Sequence, residues 1–140
     1  MQKKDIDFGT IQRHFSGDRF AELCGIEIVE TGPGYAKTRL QVKDHHLNSL
    51  DMVHGGAVFT LADQAFAAAV HTRGNVAVAI SISISYIKAG RGRVLFAEAR
   101  EVSRTPRLAT YTITVTDEAE DTIASLQGLA YVKNESLVIE

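Results

Sequence analysis

The chain has one cysteine, no surplus of either charge and no long apolar run, and each shortage removes a class of function. With Cys24 alone in 140 residues no internal disulfide can form, so nothing argues for an oxidising compartment. Lysine and arginine number 15 against 17 acidic residues, a net charge of −2, so nucleic acid is not expected as a partner. A polyanion needs a clearly basic domain. No stretch approaches the roughly 20 apolar residues that cross a bilayer. The opening "MQKKDIDFG" has two lysines but no apolar segment behind them, so neither a membrane span nor a secretory leader is predicted. A soluble cytoplasmic protein is the expectation. No repeat, low-complexity tract or linker interrupts the chain, and its length suits one domain over residues 1–140.

What is present is the balance of a chain that buries a core, with 45% hydrophobic and 23% charged residues. "TIQRHFSGDRFAELCG" places Ile11, Phe15, Phe20 and Leu23 around a Ser16-Gly17-Asp18 break, predicting two short helices in a segment of about residues 1–24. "GIEIVET" and "YAKTRLQV" flank Gly32-Pro33-Gly34 and read as a hairpin. After the loop "HHLNSLDMVH" comes "GGAVFTLADQAFAAAVHTRG", the one long helix, rich in alanine and ending towards Gly74. Thr60, Asp63 and Gln64 are its only polar residues between positions 56 and 70, so it must be covered on most sides. Four β-rich segments follow. The first alternates Ile80, Ile82 and Ile84 with Ser81, Ser83 and Ser85, and alternation of period two gives each strand one buried face. An α+β fold, with an antiparallel sheet wrapped around the long helix, satisfies both requirements.

The decisive stretch is "NSLDMVHGGAVFTLAD", which sets His54-Gly55-Gly56 before the helix and a lone acid, Asp63, inside it. Asn48, His54-Gly55-Gly56 and Leu61-Ala62-Asp63 in this spacing resemble the hotdog-fold acyl-CoA thioesterases of the phenylacetic acid degradation (PaaI-like) type. "CGIEIVETGPGYAKTRL" before the motif and "SISYIKAG" after it are similar to the family's flanks, so the likeness covers about residues 20–133. Where the family often carries proline, this chain has Ala89. The resemblance implies hydrolysis of an aryl-acetyl, aryl or short- to medium-chain acyl-CoA to free acid and CoA. It needs no cofactor, since coenzyme A enters as part of the substrate.

Thioester hydrolysis builds negative charge on a carbonyl oxygen and wants fixed N–H donors, one of which can be worth about 3–4 kcal/mol. A helix start offers unpaired N–H groups, and glycine lets a ligand approach the backbone. Read alone, Gly55 and Gly56 more readily form a tight turn into a buried helix, where glycine only relieves crowding. The resemblance makes the Gly55 N–H the oxyanion donor and places Gly56 against the substrate. Burial alone leaves Asp63 between catalysis and a loop contact; the resemblance makes it general base or nucleophile. Gly55 and Asp63 are eight residues apart, about 12 Å along a helix. Groups acting on one carbonyl lie within about 3–3.5 Å of its atoms. The simplest repair is a homodimer in which Gly55 of one chain faces Asp63 of the other. The family builds its sites in this way, and a homotetramer is common in it.

The resemblance gives the Asn48 amide an orienting role, against ordinary loop capping. His54 either holds the loop or touches the thioester. Of the strand serines Ser81 is the one expected to reach the site; no glycine-flanked elbow supports a serine nucleophile. Lys88, Arg91, Arg93, Arg104 and Arg107 fall at the ends of neighbouring strands and would suit CoA phosphates. Lys88, Arg91 and Arg104 are the candidates, with a solvated turn region as the bland account. His45, His46 and His54 lack the spacing of a metal site, and no metal is expected. Two other classes stay open. One is a hotdog module that binds or senses acyl-CoA without turnover, against which Asp63 argues. The other is a dehydratase, which wants a His–acid pair in a different pattern.

Overall fold

Two aspartates start the short helices. In the computed structural model, which describes residues 3–137, Asp7 accepts from the Thr10 N–H at 2.8 Å and caps α1 (Phe8–Phe15). Asp18 accepts from the Ala21 N–H at 3.0 Å and caps α2 (Arg19–Cys24). Each satisfies one of the donors a helix start leaves over. The ends of the expected domain, residues 1–2 and 138–140, lie outside the described residues.

The hairpin is β1 (Ile26–Gly32) and β2 (Tyr35–Gln41), in antiparallel register across Pro33-Gly34. Gly34 takes φ 67, the positive value that a turn requires directly after a proline-fixed residue. The loop that follows contains a 3-10 turn at Asp44–His46 and one bridge, Leu47 to Val53. Then come α3 (Gly55–His71), β3 (Asn75–Tyr86), β4 (Val94–Arg104), β5 (Leu108–Asp117) and β6 (Thr122–Ser136). Helix α3 stops earlier than Gly74: Thr72 caps it, and Gly74, at φ 94, serves the turn into β3.

The six strands form one antiparallel sheet in the order β1-β2-β4-β5-β6-β3. Bulges in β1, β3 and β4 bend it, and α3 lies in the curve, touching every strand. Val58, Leu61, Ala62, Ala65 and Phe66 are sealed between helix and sheet. Burial of each larger side chain is worth about 1.5–3 kcal/mol. The closest approach is at Gly128 of β6, where a Cβ would stand 2.6 Å from the Phe66 ring. Among the described residues no helix is long and apolar enough to cross a membrane.

Two features beyond the sequence reading bear on the site. Cover over α3 is incomplete: Gly56, Thr60, Asp63 and Ala67, spaced to share one helix face, stay partly exposed. Strand β3 is an edge, and its alternation is interrupted. Ile82 and Ile84 pack on the core, but Ile80 is 56% exposed because a bulge between Ala79 and Ser81 re-aims the chain there.

Candidate active site

The loop before α3 is closed by its own asparagine. Asn48 Oδ1 accepts from the N–H groups of Leu50 at 2.9 Å and Met52 at 3.1 Å, and the Asn48 N–H donates to the Met52 carbonyl at 2.8 Å. The amide oxygen is thus spent on the loop, which turns through Asp51 at φ 58. The His54 N–H, donating to His46 O at 2.7 Å, anchors the exit.

His54 is the N-cap of α3, and its Nδ1 accepts from the Gly56 N–H at 2.8 Å. The next N–H groups, of Ala57 and Val58, donate to the His54 carbonyl. Gly55 is left with an N–H that makes no hydrogen bond among the described residues. It sits at the positive end of the helix dipole, the environment a developing oxyanion needs. Tyr86, at the end of β3, donates its hydroxyl to the Gly55 carbonyl at 3.0 Å, and its ring lies 3.2 Å from where a Gly55 Cβ would stand. A cleft of about 350 Å³ opens here, bounded by Met52, Gly55, Tyr86, Lys88 and Gly90. Sequence reasoning missed Tyr86; its one signal was an aromatic ending the isoleucine–serine alternation.

Asp63 lies two turns along, on the uncovered face of α3. Its carboxylate has no hydrogen bond or ion pair among the described residues. Burial raises its pKa above the usual carboxylate range, and the charge of Asp18 adds to the effect. Such a group takes up a proton more readily than an ordinary aspartate, as general-base work requires.

The other candidates are dispersed. Ser81 pairs with Leu129, and the Gly128 next to it faces Phe66 of α3. Ser81 therefore points away from the helix, into a groove on the outer face of the sheet with Ser83 and Gln127, and one chain does not bring it to Gly55 or Asp63. Lys88 stands at the cleft beside Gly55, but its Nζ is 2.6 Å from Asp121 and 4.0 Å from Asp117, and the Asp121 hydrogen bond raises its pKa. Arg91 is exposed nearby, with Nη2 3.7 Å from Met52 Sδ. Arg104 is at the far end of β4, donating to Asn75 Oδ1 at 3.0 Å, with its Nη1 buried and unpaired. The expected single basic rim is therefore two groups. Arg93 and Arg104 sit at opposite ends of a strand, about 35 Å apart at 3.3 Å per residue. Among the described residues no three His, Cys, Asp or Glu side chains gather as a metal site, and both ring nitrogens of His46 are taken by backbone groups.

Comparison with known proteins places this geometry in context. Residues 50–124 match the thioesterase superfamily. A putative esterase of Archaeoglobus fulgidus is 43% identical over 86% of this chain and 79% of its own. The acyl-coenzyme A thioesterase PaaI of Escherichia coli K12 is 30% identical over 84% of each. The solved structure of the Escherichia coli PaaI protein from the phenylacetic acid degradation operon superposes with a TM-score of 0.85 at 28% identity, covering 89% of this chain and 91% of that one.

Proposed function

This chain belongs to the thioesterase superfamily, a PaaI-like hotdog enzyme, and from that premise we propose that it hydrolyses an acyl-CoA to a free acid and CoA at a site shared between two copies. The observation that carries the reading is the unpaired Gly55 N–H at a helix start whose other first donors are already occupied. A thioester carbonyl accepting from it has its oxygen's growing charge held as attack proceeds. Asp63 of the facing copy takes a proton from water, whose oxygen bonds to the carbonyl carbon; alternatively it attacks that carbon itself and forms a mixed anhydride that water then opens. In either course the carbon–sulfur bond breaks and the CoA sulfur leaves with a proton. The acyl groups that suit the reading are aryl-acetyl, aryl and short to medium chains.

Two features support the shared site. Strand β3 presents an unpaired edge twelve residues long, with Val78 and Ile80 at 43% and 56% exposure, a natural template for a second copy. The uncovered face of α3 carries Asp63 itself. A two-fold contact repeats each patch against its mate, so two sites form at once. A homotetramer would stack two such dimers. Lys88 and Arg91, beside the helix start, are the residues for CoA phosphates, while the free amide nitrogen of Asn48 is available to substrate or water.

The test is release of free thiol from a panel of aryl and alkyl acyl-CoAs. The parent should turn over at least one class, and Asp63→Asn should lose about two or more orders of magnitude in kcat while still binding. Mixing Gly55→Pro with Asp63→Asn chains should restore part of the activity, because one site in each mixed dimer keeps both good halves. Binding without thiol release would favour a sensing module, and no recovery in proven mixed dimers would reject the shared site.

A further inference from the structure

An oxyanion donor has to be fixed as well as free, and glycine is the residue least able to fix itself. Without a Cβ it samples more backbone conformations than any other residue. The Gly55 N–H therefore keeps one direction only if the rigid peptide planes on both sides of its Cα are held by other groups. The plane before it is held by the helix: the His54 carbonyl accepts from the Ala57 N–H at 2.9 Å and the Val58 N–H at 3.1 Å. The plane after it is held by two side chains. His54 Nδ1 accepts from the N–H of that plane, which is Gly56's, at 2.8 Å, and the Tyr86 hydroxyl donates to its carbonyl, which is Gly55's, at 3.0 Å. His54 belongs to the same turn and moves with it. Tyr86 comes from the sheet, 31 residues further along the chain.

We infer that Tyr86 is a positioning residue for thioester hydrolysis: its hydroxyl holds the first peptide of α3 against β3 and so fixes the direction of the Gly55 N–H. The inference rests on the thioesterase reading and adds a residue to its machinery. Tyr86 is itself well anchored. It pairs with Ala124 of β6, and the N–H groups of Ile87 and Lys88, which follow it, both donate to the Ile123 carbonyl, at 2.8 and 3.2 Å. Burial does not account for this side chain, which is 54% exposed. Its ring instead occupies the space beside Gly55, with Cζ and the hydroxyl oxygen each 3.2 Å from where a Cβ would stand. A phenylalanine ring would supply that contact equally well, but only the hydroxyl reaches the carbonyl. The bond falls on the carbonyl of Gly55 and leaves the N–H of the same residue open to a substrate.

Tyr86→Phe removes the hydroxyl and keeps the ring. On the acyl-CoA that the parent turns over fastest, kcat should fall about three- to tenfold, the worth of one hydrogen bond. KM should stay within about twofold, because the N–H acts on charge that develops only in the transition state. The effect must also run through Gly55. The same substitution should cost about as much in a Gly55→Ala background, which crowds the ring but keeps the N–H. It should cost nothing in Gly55→Pro, where no N–H is left to direct. A hydroxyl that merely braces the fold would lower kcat by one factor in all three backgrounds; that result overturns the proposal, as does an unchanged kcat in Tyr86→Phe. If the parent cleaves no thioester at all, the thioesterase reading fails by itself. Backbone-amide NMR relaxation then still decides on Tyr86. The Gly55 N–H should show the rigid order parameter of about 0.85 in the parent and fall towards about 0.6 in Tyr86→Phe, and equal values in the two proteins overturn the proposal.

Discussion

Replacing Gly55 by proline removes one hydrogen atom's worth of chemistry and little else. Proline is favoured at the first position of a helix, where its missing N–H has no intrahelical partner and its fixed φ suits the turn. A residue before proline must be extended, and His54 already is, at φ −58 and ψ 137. The change also stiffens the unfolded chain, worth about 0.4–1 kcal/mol in favour of folding at a compatible site. Against this stands the Tyr86 ring, 3.2 Å from the new Cβ, which must give by a few tenths of an ångström. The two effects nearly cancel, so the melting temperature should move by no more than about 2–4 °C. Activity should fall much further. Loss of one oxyanion donor costs about 2.7–4 kcal/mol, or about 10²–10³ in kcat. Gly55→Ala is the matched control, since it meets the same ring but keeps the N–H; it should stay within about tenfold of the parent. Thiol release and thermal melts on the same preparations give both readings. If proline and alanine reduce kcat equally, the Gly55 N–H is not the donor, and the assignment of the helix start falls with it.

Other perturbations have outcomes fixed by the geometry. Asp18→Asn keeps the α2 cap, because asparagine caps as well as aspartate, but removes a negative charge near Asp63. The acidic limb of the kcat/KM profile should move to lower pH, and a limb that stays in place would show that Asp63 does not govern it. Gly128→Ala drives a methyl group to 2.6 Å from Phe66, a ring 2% exposed that also packs on Tyr111 at 5.4 Å between centroids. Denaturant unfolding should register a loss of about 1–3 kcal/mol. His71 is buried and neutral, placed between the Ala67 carbonyl and the Ala77 N–H, and desolvation lowers its pKa below the ordinary 6.5. A lowered folded pKa means the unfolded chain binds the proton more readily. The stability His71 contributes is therefore present above about pH 6.5 and lost as pH falls through the folded value. Asp63, raised in the fold, works in the opposite sense, so the check is the difference between the parent and His71→Gln over pH 8 to 5.

Much of this molecule could be read from spacing, because the features concerned are local. A proline–glycine turn, an alanine-rich helix behind two glycines and an acid two turns in are each visible within a few residues. What escaped depends on partners far away in the chain. Alternation showed that β3 has two faces but could not show that it lies at the edge of the sheet, nor that a bulge would expose Ile80 and leave Ser81 on the outer side. Arg93 and Arg104 looked like neighbours because strand ends look alike in sequence, whereas one antiparallel strand holds them a full length apart. Gln64 read as one of three polar interruptions in an apolar helix; only the docking of α1 and α2 turns it into the floor of a cleft. Asn48 is legible as a motif residue, yet its oxygen is committed to two loop amides that no pattern announces.

The hydroxyl of Tyr86 joins two parts of the molecule usually considered separately. It grows from the last residue of the strand with the free margin, and it ends on the carbonyl of the glycine that opens the long helix. On the proposed shared-site reading, whatever settles onto that margin would adjust, through one tether, where the thioester's oxygen comes to rest. Dilution that parts two copies should slacken catalysis well before it loosens the fold of either.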